Sequence, residues 1–342
     1  MGLLLFGHHS AVIAAGKAQA CEFIDEDATR LRCYDQAQGH DEQRDKLPPE
    51  DAAPDVSKAV DAKASTTPPV VPTLPSLTDI WEFDLEHKQG TFRLKPYRSN
   101  YFLPFRHTDQ PNVNPDTPAP DHSVPAPLPL DDTEVKFQLS VKFKIWENIF
   151  GNDRDLWFGY TQQSNWQLYN ANDSVSAAFR ETDYEPEVML VQRTNSHVLG
   201  WHLRMLNLGF VHQSNGQTLP LSRGWNRLYA QFGLERSNLV LLVRPWVILP
   251  GANELSDNPD IHEYMGSGDI RLTYSNAGYV YSVLGRHNFS SGNGAVQLDW
   301  AFPIAGSLKG YIQLFSGYGE SLIDYNHSQT TIGIGLLLVP WQ

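Results

Sequence analysis

The sequence predicts an all-β fold, a transmembrane antiparallel β-barrel of about twelve strands preceded by an N-terminal periplasmic extension. Three observations point there. No apolar run reaches the roughly 18–20 residues that a membrane-spanning helix needs; Leu239 to Val243 and Leu336 to Val339 are far too short. Segment after segment alternates apolar and polar residues with a period of two. Aromatics are abundant at 11%, while charged residues make up only 19% of the 342 positions, and the aromatics gather near segment ends, as in membrane barrels.

The first twenty residues read as a secretory signal. Leu3 to Phe6 and Ala11 to Ala15 form a broken apolar region, and Ala18-Gln19-Ala20 supplies small residues for cleavage. No Lys or Arg precedes the apolar part. Cys21 directly after the cleavage point also fits a lipoprotein, although Ala18 stands where Leu is usual. Cys21 and Cys33 are the two cysteines; in an oxidising periplasm they are a candidate disulfide, with two free thiols as the alternative.

Residues 21–79 form the extension. Within it, 34–78 read as a Pro/Ala-rich linker, because Pro68, Pro69, Pro72 and Pro75 break regular structure. The barrel is expected over 80–342. The formal net charge of −13 argues against nucleic acid as a partner, although much of that acidity lies before Leu85 and says little about the rest of the chain. Pro111 to Pro129 reads as a long exposed loop.

The strands follow. Val135, Phe137, Leu139, Val141, Phe143 and Ile145 alternate with Lys136, Gln138, Ser140, Lys142 and Lys144. Leu156, Phe158 and Tyr160 continue the pattern. Similar runs cover 186–194, 200–214, 225–235, 238–248, 267–275, 277–286, 295–304, 309–317 and 328–339, and the last one ends near Trp341. A membrane needs the sheet closed, since lipid cannot satisfy an open edge. A soluble sandwich or lipocalin-like barrel would alternate in the same way, but rarely with so many strands.

One stretch carries chemistry. Leu206, Leu208, Phe210, His212 and Ser214 share a face; so do Asn226, Leu228, Ala230, Phe232 and Leu234. Both apolar faces should meet lipid, which puts His212, Ser214 and Asn226 on the outside, joined by one hairpin. Polar groups there are costly. Ser is a weak nucleophile until a base takes its proton. His can be that base, and an amide oxygen can hold the imidazole in the required tautomer. On spacing alone, a structural hydrogen-bonding pair remains an open reading of His-x-Ser.

The segment His212-Gln213-Ser214-Asn215-Gly216, followed by Ser222-Arg223-Gly224-Trp225-Asn226-Arg227-Leu228-Tyr229, resembles the signature of the outer-membrane phospholipase A family. So do Tyr160-Thr161-Gln162, Phe179 to Pro186, Asp257-Asn258-Pro259-Asp260-Ile261 and Ser316 to Asn326, in the same order. The resemblance covers residue 90 to the C-terminus. It implies a twelve-stranded outer-membrane barrel that hydrolyses membrane phospholipids (A1, A2 and lysophospholipase activity), with Ser214 as nucleophile, His212 as base and Asn226 as orienting group. It implies an oxyanion held by the Gly216 N–H and by Ca2+ with its waters. The implied calcium ligands are the Gln217 carbonyl, the Ser222 hydroxyl and a Ser176 carbonyl from a second subunit. All-oxygen ligation suits calcium. Gln217 stands where the family commonly has Arg, and the loop over 172–178 differs in length, so Ser174 is an alternative to Ser176.

The resemblance further implies a homodimer when active and a monomer at rest. Gln162 would lie in the dimer contact, Tyr184 and Gly216 along the acyl groove, and the active site towards the outer leaflet. A non-enzymatic porin or structural barrel is the competing expectation, and a soluble periplasmic esterase a third. His197, His202, His262, His287 and His327 have no metal spacing. Asp257 to Asp260 reads as a turn, and the inward Arg, Lys and Glu as a self-satisfied network rather than a pore.

Overall fold

The computed structural model describes residues 29, 30, 33, 76–84, 86–151, 153–172, 179–249 and 257–339. The chain divides into two compact units, Met1–Pro68 and Pro69–Gln342. In the first, Thr29, Arg30 and Cys33 are helical, and Cys33 is disulfide-bonded. Cys21, the expected signal peptide and residues 34–75 lie outside the described residues.

The second unit is a sheet of thirteen antiparallel strands. In chain order they are β1 (Lys95–Pro96), β2 (Asn100–Thr108), β3 (Thr133–Trp146), β4 (Arg154–Trp166), β5 (Phe179–Val198), β6 (Trp201–Ser214), β7 (Gly224–Arg236), β8 (Leu239–Leu249), β9 (Gly268–Asn276), β10 (Tyr279–His287), β11 (Gly294–Ala305), β12 (Leu308–Tyr318) and β13 (Ser328–Val339). Each strand from β2 pairs with the next, and β13 pairs back on β2, so β2 to β13 close a barrel of twelve. The extra strand β1 prolongs the line of β2 along β3, with Pro96 opposite Val141 and Tyr101 opposite Gln138.

Closure removes sheet edges, and the side-chain period sorts residues by face. On β6, Leu208 is 62% exposed and Asn207 1%. Leu139, Val188, Leu228, Val247, Ile270 and Ile334 are exposed in the same way on other strands. So continuous an apolar outer wall fits hydrocarbon rather than water. No helix among the described residues is long and apolar enough to cross a membrane; the strands cross it.

The two ends differ. At one, two-residue turns join β5 to β6 and β9 to β10. Both turn residues have positive φ (Leu199 +51° and Gly200 +81°; Ala277 +51° and Gly278 +84°), the conformation that matches the twist of a hairpin. At the other end run the segments 109–132, 215–223 and 319–327, with the described parts of two further connections, 167–172 and 257–267.

The lumen is charged and internally paired. Arg98 meets Glu185 and Glu187 at 2.7 and 2.9 Å, Arg106 meets Glu134 at 3.0 Å, and Lys136 meets Glu320 at 3.0 Å. A cavity of about 200 Å³ remains among Arg98, Glu185, Arg227, Arg271 and their neighbours. Helix α1 (Leu77–Trp81) stoppers the short-turn end. Ser76 caps it by a reciprocal bond with Asp79, Trp81 packs edge-on to Trp157 and Tyr97, and the Lys142 ammonium lies 3.3 Å from the Trp81 ring centroid. The helix straddles the boundary expected at 79/80, so Leu77 and Thr78 are buried barrel contacts rather than linker.

Candidate active site

The candidate site forms where β6 and β7 reach the long-loop end. Their register places His212 directly opposite Asn226, and Ser214 opposite Gly224. All three polar side chains are half-buried and share the outer face with Leu208, Phe210 and Leu228. The Asn226 Oδ1 lies 2.9 Å from His212 Nδ1, and the Ser214 Oγ lies 3.1 Å from His212 Nε2. Both imidazole nitrogens are therefore engaged. If Nδ1 carries the proton and donates it to the amide oxygen, Nε2 is left bare and can accept from the serine hydroxyl. A base beside a hydroxyl, itself oriented by a third group, is the arrangement that activates a serine.

Tyr184 pairs with Ser214 across β5 and β6, and Gln162 pairs with Tyr184 across β4 and β5. The three lie in one row on the outer wall. Gly216 sits just past the end of β6 at φ +63°. A Cβ added there would come within 3.2 Å of the Tyr184 ring, so both conformation and space favour glycine. The Gln162 amide is used within its own chain: Tyr160 OH donates to its Oε1 at 3.1 Å, and its Nε2 donates to Ser164 Oγ at 3.2 Å.

Ser222 and Gln217 lie on the connecting segment, 215–223. Asn215 closes that segment: its Nδ2 donates to the Leu221 carbonyl at 2.8 Å, and its Oδ1 accepts from the Arg223 N–H at 2.9 Å. The Ser222 hydroxyl donates to Asp257 Oδ2 at 2.9 Å, while His122 Nε2 lies 3.2 Å from Asp257 Oδ1 and Thr117 Oγ1 donates to the Asp257 carbonyl at 2.7 Å. Asp257 is thus more than the turn residue the sequence suggested. Thr117 and His122 join it from a loop whose pattern carried no such signal. Among the described residues no cluster of three or more His, Cys, Asp or Glu could hold a metal. The donors at hand are instead a hydroxyl, a carboxylate and backbone carbonyls, hard oxygens of the kind calcium takes. Ser174 and Ser176 lie outside the described residues.

Fold and site together define a membrane-spanning barrel with a Ser-His-Asn set on its outer wall. The family model for phospholipase A1 matches residues 77–338. A Neisseria meningitidis serogroup B protein is 39% identical over 98% of this chain and 94% of its own length. The phospholipase A1 of Escherichia coli K12 is 39% identical over 74% of this chain and 84% of its own. Outer membrane phospholipase A from Escherichia coli superposes with a TM-score of 0.66 at 36% identity, covering 77% of this chain and 98% of that one. A Salmonella typhi outer membrane phospholipase, solved as a dimer with bound calcium, gives 0.64 at 35% identity, covering 74% and 94%. The chain belongs to the outer-membrane phospholipase A family. It is a phospholipid-hydrolysing enzyme of the outer membrane.

Proposed function

We propose that the chain is a calcium-dependent serine-type phospholipase that cleaves both glycerol acyl esters and lysophospholipids, and works as a dimer. The observation that carries the reading is the pair of contacts on His212, 2.9 Å to Asn226 and 3.1 Å to Ser214. His212 Nε2 takes the Ser214 proton as Oγ attacks the ester carbonyl. The electron pair moves to the carbonyl oxygen, which the Gly216 N–H can meet. Collapse expels the glycerol alkoxide, protonated by His212, and leaves an acyl-Ser214 ester. Water, deprotonated by His212, then releases the fatty acid.

Calcium, held by the Ser222 hydroxyl and the Gln217 carbonyl with Ser176 of the partner subunit, would supply positive charge beside the developing oxyanion. Gln162 and its row on the outer wall fit a dimer contact, and a resting monomer satisfies Gln162 through Tyr160 and Ser164. The site lies at the long-loop end, which in barrels of this kind faces outward; that favours the outer leaflet. The paired lumen charges and the α1 stopper speak against a porin.

The test is fatty-acid release from phosphatidylcholine in detergent micelles, with and without a calcium chelator, alongside cross-linking. Release that stops with chelator and tracks the cross-linked dimer is expected. Equal release with chelator would remove calcium from the reading, and no release from any glycerophospholipid would remove the reading itself.

A further inference from the structure

The site segment 212–217 alternates between the two sides of the barrel wall. His212, Ser214 and Gly216 face outward. Gln213, Asn215 and Gln217 turn the other way, and each is bonded to one of two acids on β5. Gln217 Nε2 donates to Glu181 Oε2 at 2.8 Å, Asn215 Nδ2 to the same oxygen at 3.3 Å, and Gln213 Nε2 to Asp183 Oδ2 at 3.4 Å. Both acids are buried, Glu181 at 1% and Asp183 at 5% exposure. On their far side they are fixed by the 319–327 segment. The Ile323 N–H donates to Glu181 Oε1 at 3.0 Å, and the Leu322 N–H to Asp183 Oδ2 at 3.0 Å.

A residue between two anchored neighbours has little freedom. Ser214 is flanked by Gln213 and Asn215, and Gly216 by Asn215 and Gln217. The outward groups are thus set by what their inward neighbours grip. Gln217 adds a second grip: its Nε2 also donates to the Arg180 carbonyl at 2.9 Å. That fixes the direction of the residue whose own carbonyl would face calcium. Its amide is well suited here, since it is a neutral donor to a buried acid. Asn215 completes the clasp, tying this segment to Arg223 and Leu221.

We propose that Glu181, assisted by Asp183, is a positioning residue for the active site, holding the Ser214–Gln217 backbone in register from inside the barrel. It touches no substrate. It acts through Gln217 and Asn215 on the Gly216 N–H and the Gln217 carbonyl. The inference rests on the serine-hydrolase reading above.

The experiment compares Glu181→Ala, Glu181→Gln, Gln217→Ala and the double variant Glu181→Ala/Gln217→Ala in the full chain. It measures kcat, KM, terbium luminescence as a calcium-site probe, and the thermal unfolding midpoint. Glu181→Ala should lower kcat by up to about a hundredfold with little change in KM, and weaken terbium binding. Glu181→Gln, which keeps an acceptor for Gln217, should recover part of the loss. The double variant should be no worse than the worse single, because both cut one link.

A folded Glu181→Ala enzyme with wild-type kcat overturns the proposal, and so do effects that multiply in the double variant. Should Glu181→Ala not fold, Gln217→Ala decides from the half-buried side of the same bond: wild-type kcat and terbium binding there overturn it. If wild type hydrolyses lipid and Ser214→Ala does not, while the Glu181 set behaves as wild type, only this inference falls. If Ser214→Ala retains activity, the underlying reading falls instead.

Discussion

The Asn226 amide oxygen sits 2.9 Å from His212 Nδ1, on a neighbouring strand and in direct register with it. A side-chain amide needs no charge to orient an imidazole, only a fixed position, and the β6–β7 ladder supplies that. Asn226→Ala should leave Ser214 and His212 in place but free the ring to rotate. The loss in kcat should be smaller than the roughly 10²–10⁴ expected on removing the base itself with His212→Ala. Steady-state hydrolysis of the two variants gives the comparison; equal losses would assign Asn226 a larger role than orientation.

Gly216 combines φ +63° with a Tyr184 ring 3.2 Å from any added Cβ. Gly216→Ala should therefore turn its N–H away from the developing oxyanion. Losing one such donor costs about 10²–10³ in kcat, and a loss towards the lower end is expected. The thermal midpoint should fall only modestly, since one residue at positive φ costs about 1–2 kcal/mol. Tyr184→Ala in the same background should restore little, since the backbone strain remains.

Ser222 offers the one side-chain hydroxyl expected on calcium, now directed at Asp257. Ser222→Ala should raise the calcium needed for half-maximal activity by roughly tenfold or more, within the range that weakened metal sites show. Activity at saturating calcium should largely return. Titrating activity against free calcium measures this, and an unchanged midpoint would place the ion elsewhere.

At the short-turn end, burial would raise the Glu82 carboxyl, but the ammonium groups of Lys144 and Lys95 hold it below the ordinary carboxylate value. Lys144 lies 2.9 Å from it, and Lys95 pairs with its other oxygen. A carboxyl depressed in the folded state adds stability above its unfolded value, about 4.3. That stability is lost as pH falls through the lower folded value. Glu82→Gln should therefore unfold at a lower temperature than wild type at pH 7, and the gap should close as the pH drops below about 4. A gap that is constant with pH would mean the charge contributes nothing.

The outer wall was legible because hydrocarbon tolerates only one kind of face. The alternation from Leu206 to Ser214 and from Asn226 to Leu234 therefore assigned faces without any structure. The polar lumen erased the same signal elsewhere. Arg180, Glu181 and Asp183 belong to β5, yet their run of inward charges hid the strand until residue 186. β2 was missed because Pro104 and the register shift between Leu103 and Arg106 interrupt its pattern. Helix α1 is five residues long, too short to show a period. The link from His122 to Asp257 joins residues 135 positions apart, and the acids beneath the site face away from it. Periodicity assigns a face but not a partner, so neither could be read from the sequence.

The most direct test of the account is phosphatidylcholine hydrolysis by wild type and Ser214→Ala, both folded in detergent micelles with calcium. Wild type should release fatty acid and the variant should lose several orders of magnitude in rate, with dimer cross-linking unchanged. Comparable release by both proteins would contradict it.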